Sequence, residues 1–182
     1  MSNSTKQTKQ KSSTLAKKLE RLARIIPGIA GYQDRDKMRE SDKRLRLHLA
    51  EKIELNKKTI EQITKHLTEK KKLSLLLPLN QFTEGLVRMR DSLKYAPYGY
   101  RGIFDNEQAD LEALNKIYDF DLSLLEQVEE LHMEAVELKK QSENDDKIRD
   151  GLEGLEKRRE DLEEILSQRN SSIHIFNKEE KA

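Results

Sequence analysis

Apolar residues recur at three- and four-residue intervals along almost the whole chain, which is the period of an α-helix. Leu15, Leu19, Leu22 and Ile26 fall within about 60° of one another at about 100° per residue, predicting a first helix over about 14–26 with Ser13 as its cap. Lys17, Arg21 and Arg24 take its other side, and Pro27-Gly28 ends it. Residues 1–12 hold no apolar side chain after Met1, so they are expected to form a disordered basic arm. A long second helix, about 34–77, carries Met38, Leu45, Leu49, Ile53, Ile60, Ile63 and Leu67 in a stripe about 80° wide, the narrow seam of a coiled coil. Pro78 separates it from a third helix, about 79–95, in which Leu79, Phe82, Leu86, Met89 and Leu93 align, and the two should form a hairpin.

The fourth helix, about 107–141, differs in kind: its apolar residues cover roughly 200° of the surface, which only a helix touched on two sides requires. It is therefore placed centrally. A polar break, SEND at 142–145, precedes a fifth helix of about 146–169 with apolar positions Ile148, Leu152, Leu155, Leu162 and Leu166. Gly151 and Gly154 weaken that helix by roughly 1 kcal/mol each relative to Ala, so it should depend on packing. Residues 170–182 read as a flexible tail. The expected fold is all-α, an elongated antiparallel bundle of coiled-coil hairpins with about five helices in a single domain over 13–169.

Composition agrees: 38% charged and 35% hydrophobic residues leave little for a thick core, and 7 Gly, 3 Pro and no Trp do not suit a sheet protein. The absence of Cys excludes disulfides and thiolate metal sites and is compatible with a reducing cytoplasm. No run approaches the roughly 20 apolar residues needed to span a bilayer, so the expected location is cytoplasmic, with a peripheral place on a membrane as the alternative. Residues 1–102 carry 24 Lys+Arg against 11 Asp+Glu, and residues 103–182 carry 11 against 23, so the net +1 conceals halves of +13 and −12. Such halves are expected mostly to face one another within the fold, leaving the first 26 residues as the free basic surplus.

A search for catalytic chemistry comes back nearly empty. His48, His66, His132 and His174 lie on different segments, outside any phosphate loop, nucleophile elbow or HExxH helix. Glu129 and His132 supply one Glu-x-x-His, but a di-iron bundle needs a second one. No cofactor, no metal and no enzymatic activity are expected. Asp42, Asn56, Asp121, His132 and Arg159 stand inside apolar stripes, where a polar group needs a partner, and they are read as setting helix register. A reversal at about 143 would bring Asp121 and Arg159 within a turn or two of each other.

Three surfaces are candidates for contact. Helix 14–26, with Lys17, Lys18, Arg21 and Arg24 opposite its apolar stripe, could pack on the bundle as a lid or lie on an anionic membrane. The tip LSLLLPL at 73–79 could plug the hairpin end or be an exposed partner patch. The loop YAPYGYRG with Ile103-Phe104 offers Tyr95, Tyr98, Tyr100, Arg101 and Phe104 either as a recognition site or as the filling of a sharp corner.

The stretches IPGIAGYQDRDKMRESDKRLRLHLAEKIE, YAPYGYRGIFD and YDFDLSLLEQVEEL resemble a family of small uncharacterised bacterial helical proteins, a resemblance that implies no activity. A looser one is to membrane-remodelling coiled-coil proteins of the phage-shock and ESCRT-III type, which pair an amphipathic first helix with a basic hairpin and a more acidic C-terminal part. The Gly-Tyr loop and Pro78 depart from their uninterrupted hairpin. The resulting expectation is a non-enzymatic scaffold or adaptor working by helix-to-helix recognition, with a protein partner or a homo-oligomer. The alternative is a membrane-surface protein binding anionic lipid through residues 14–26. Nucleic acid is not the expected partner, since the cations of the second helix alternate with acids.

Overall fold

The computed structural model describes the backbone of residues 2–29, 35–96 and 107–176, and the side chains of 14–29, 37, 40–96 and 114–172. Among these residues the fold is all-α, with five helices and no strand: α1 Ser2–Ile25, α2 Arg35–Glu69, α3 Leu76–Lys94, α4 Glu107–Lys140 and α5 Asp145–Phe176. Helix α1 begins well before the 14–26 expected, so the residues read as a disordered arm are helical. They contain no Gly or Pro, and their Lys and Gln carry adequate helix propensity. Helix α5 likewise runs to Phe176, beyond the expected end at 169.

Where the sequence reads as one bundle over 13–169, the chain groups into two compact units. One comprises Met1–Arg46, Pro97–Ser123 and Ile165–Ala182; the other comprises Leu47–Ala96 and Leu124–Glu164. Helices α2, α4 and α5 thus supply a segment to each, whereas α1 belongs to the first unit and α3 to the second.

In the first unit, Leu22, Ile26 and Ile29 are buried together with Leu45, Ile117, Tyr118 and Leu122. Helix α1 ends where Gly28 takes φ 83°, a conformation that favours glycine, and a Cβ there would come 2.6 Å from Arg44 Nη1. Lys18 Nζ donates to Asn115 Oδ1 at 2.6 Å and pairs with Asp119 Oδ1 at 2.6 Å, tying α1 to α4.

The second unit is two helical hairpins. The α2/α3 hairpin buries the expected stripes, Leu49, Ile53, Ile60, Ile63 and Leu67 against Leu79, Phe82, Leu86, Met89 and Leu93. Its turn is a Schellman motif: Lys72 N–H bonds Leu67 O at 2.9 Å and Lys71 N–H bonds Thr68 O at 3.0 Å, with Lys71 at φ 59°. The α4/α5 hairpin turns at Asn144, whose Oδ1 accepts from the N–H of Asp146 at 3.1 Å and of Lys147 at 3.2 Å, capping α5.

The relation between the two hairpins follows from their cross-links. Lys52 bonds Glu129 at 2.9 Å, His132 bonds Asn56 at 2.8 Å, Lys139 bonds Gln62 at 2.6 Å and His66 bonds Glu143 at 2.8 Å. Each pair is separated by 76 or 77 residues, so α2 and α4 run parallel in constant register. Within each hairpin the helices are antiparallel, as Arg90–Glu54 and Arg158–Glu134 show. Helix α4 is therefore held on two sides, by α2 and by α5, which is what its broad apolar face requires. Of these, Lys52–Glu129 joins a base of α2 to an acid of α4, and His66 reaches Glu143 in the turn after α4, the sense that the charge split predicts.

Candidate functional site

Along α2, Leu47, Glu51, Leu55 and Lys58 recur at intervals of four, four and three residues and so stand on one line. That line lies roughly 160° round the helix from the core stripe at 3.6 residues per turn. It faces an open groove of about 800 Å³ between α2 and the end of α3, lined also by His48, Ala50, Lys52, Glu54, Arg90, Asp91, Lys94 and Tyr95. Three large apolar side chains are exposed on it: Leu47 at 38%, Leu55 at 45% and Tyr95 at 70%. From Leu47 to Leu55 is eight residues, or ~12 Å along the axis, the length of about two helical turns.

The groove is braced by one arginine. Arg90 Nη1 donates to Glu54 Oε2 at 2.6 Å across the hairpin, while its Nε and Nη2 reach Asp91 Oδ1 at 2.9 and 2.8 Å. The hydrogen bond from Arg90 is the main reason the Glu54 carboxyl sits below its ordinary range, and the same bond raises Arg90. His48 is pushed below its ordinary value by burial first and by the Lys52 ammonium second. Glu51 and Lys94 have no ion-pair partner among the described residues; Lys94 Nζ lies 5.4 Å from the centroid of the Tyr95 ring.

Of the tyrosine-loop candidates, Tyr95 belongs to this groove. Tyr98, Tyr100, Arg101 and Phe104 lie outside the described residues. Leu47 and Leu55 were missed by the sequence reading. Their signal was present as two leucines eight residues apart and off the α2 stripe, but a stripe-seeking reading treats such residues as strays.

The residues read as register-setting prove to be partnered, though not always as expected. In the first unit, Asp121 is fully buried and accepts from Arg169 Nε at 2.6 Å; Arg169, 1% exposed, also meets Asp42 Oδ1 at 2.9 Å through Nη2. Arg46 Nε completes the group by donating to Asp42 Oδ2 at 2.8 Å. Two aspartates and two arginines from α2, α4 and α5 thus neutralise each other inside the core. The expected Asp121–Arg159 pair is corrected. The α4/α5 hairpin turns about two residues later than assumed, which moves the residue facing Asp121 by about four positions, one turn, to Arg169; Arg159 lies ten residues short of it.

Arg159 instead bonds Glu156 at 2.7 Å and Glu163 at 2.6 Å on its own helix and lies over Gly85, where a Cβ would come 2.9 Å from its Nε. Its neighbour Arg158 clamps α5 to α4 through Glu134, Glu130 and Gln127. Asn56 is fully buried with Oδ1 on His132 Nδ1, and its Nδ2 has no hydrogen-bond partner. His132 is half-buried against α2 rather than set in a polar pocket. No group of three or more His, Asp or Glu able to hold a metal occurs among the described residues.

The remaining candidates divide. On α1 and at the residue just past its end, Leu22 and Ile26 are buried and Lys18 is engaged with α4, while Lys17, Arg21 and Arg24 are exposed, Arg24 pairing with Glu20 at 2.6 Å. The apolar side of 14–26 is thus covered by its own unit at these positions. At the leucine tip, Leu75 and Leu79 plug the hairpin end, whereas Leu73 and Leu77 are 66% exposed. No described helix is long and apolar enough to cross a membrane. Comparison with known proteins finds no family model that matches the chain, and neither a curated protein nor a solved structure with significant similarity to it.

Proposed function

We propose that the protein is a non-enzymatic helical scaffold or adaptor that works by helix-to-helix recognition, with the α2/α3 groove as its contact surface. The observation that carries this reading is the line of exposed apolar side chains, Leu47, Leu55 and Tyr95, along a groove two helical turns long. Isolated exposed leucines are ordinary, but apolar side chains gathered along one concavity and rimmed by charge are what an incoming helix covers. Bracing by Arg90 keeps the two walls in place before any contact forms, which lowers the entropic cost of binding.

A photo-crosslinking residue at position 55, placed in the full-length chain in its cell of origin, tests this. Crosslinking to one discrete protein species is expected at 55 and not at Glu153, an exposed position on α5. Equal or absent crosslinking at both positions would refute the groove as a contact surface.

A further inference from the structure

We infer that the groove between α2 and α3 is occupied by a second copy of this chain, seated about a twofold axis that runs parallel to the two helices. This rests on the reading of the groove as a helix-recognition surface and names its partner. A twofold contact lays one patch against an identical patch, so any net charge on the patch repels its own copy. The groove meets this condition. Its lining cations are Lys52, Lys58, Arg90 and Lys94, and its anions are Glu51, Glu54 and Asp91. Lys52 is committed to Glu129 on α4, and burial, with Lys52, biases His48 towards its neutral form. Three cations then balance three anions. A groove built for a strongly acidic or basic helix would carry a surplus of the opposite sign, and this one carries none.

Of the three uncommitted charges, Glu51, Lys58 and Lys94, the two of opposite sign on opposite walls select the axis. Arg90 bonded to Glu54 fixes the level of α3 against α2. Glu51 lies three residues before Glu54 and Lys94 four after Arg90, so in antiparallel helices they stand at one level on opposite walls. Rotation about an axis parallel to the helices exchanges the walls and preserves the level. It brings Glu51 against the partner's Lys94 and Lys94 against the partner's Glu51, two ion pairs over a floor of leucine and tyrosine. An in-plane axis perpendicular to the helices would set like wall against like wall and Glu51 towards its own copy, which the repulsion disfavours.

Sedimentation velocity of the full-length chain, with circular dichroism to verify folding, tests the inference. The wild type is expected to sediment as a dimer in the micromolar range. Glu51→Lys and Lys94→Glu should each be at least tenfold weaker, because each places like charges opposite one another. Mixed in equal amounts, these two variants should dimerise as well as the wild type, since one then presents two lysines to two glutamates. Leu55→Asp, at a solvent-exposed position, should remain folded and become monomeric.

A monomeric wild type overturns the inference. So does a dimer indifferent to these substitutions, or a mixture that fails to dimerise. If the wild type is monomeric and position 55 still crosslinks to a different protein, the groove reading stands and only the second copy is lost.

Discussion

Glycine gives the sharpest contrast at the scale of single residues. Gly151 and Gly154 are equivalent in sequence, two breaks of propensity three positions apart. In the structure a Cβ at Gly151 would come 2.6 Å from Leu138 Cδ1, whereas nothing lies within 4 Å of one at Gly154. Gly154→Ala is therefore expected to stabilise the protein by about 1 kcal/mol through helix propensity alone. Gly151→Ala gains the same term but overpacks the α4/α5 contact at a cost of about 1–3 kcal/mol, so its net effect should be destabilising or nil. Urea denaturation of the two variants distinguishes them, and equal stabilisation would refute the close approach at Gly151. That a glycine weakens a helix can be read from sequence, but which glycine the neighbouring helix needs depends on the crossing point.

Register, at the scale of elements, shows the same division. The stripes of α2 and α3 were legible because each side chain's direction follows from the 3.6-residue period, and the buried positions are those the period selects. The buried polar residues Asp42, Asn56 and Asp121 were legible for the same reason. Their partners were not. Choosing Arg169 over Arg159 for Asp121 depends on where the α4/α5 turn is centred, and a shift of one residue in a turn moves the facing residue by two. The pairing carries a prediction: Arg169→Met should cost about 3–5 kcal/mol, because it removes the arginine that the buried Asp121 and Asp42 share and leaves Asp42 with Arg46. The double change Arg169→Met with Asp121→Leu, which leaves the Asp42–Arg46 pair in place, should recover most of that loss in urea denaturation. No recovery would mean that the arginine acts by packing rather than by charge.

Over the whole molecule, pH acts on the Lys52–Glu129 pair that links the +13 and −12 halves and on Glu54 and His48 within the basic half. Glu54 and Glu129 are held below the ordinary 4.5, chiefly by hydrogen bonds from Arg90 and Lys52 respectively. His48 lies below the ordinary 6.5 through burial. Because each folded value is depressed, the associated stability is full above the ordinary value and is lost as pH falls through the folded one. Unfolding free energy should thus decline in two stages on acidification, first below about 6.5 from His48 and then below about 4.5 from the carboxylates. Urea titrations at stepped pH read this directly, and His48→Gln should abolish the first stage alone. The sequence by itself determined that the chain is helical, which face of each helix is apolar, that α4 needs neighbours on two sides, and that its charges are divided between its ends. All of these follow from local chemistry and a fixed period. Tertiary structure alone decided that α2 and α4 run parallel, which arginine neutralises Asp42 and Asp121, and that Leu47, Leu55 and Tyr95 share one groove. Those depend on distances between residues far apart in the chain, which turn centres and crossing points set and no periodicity encodes.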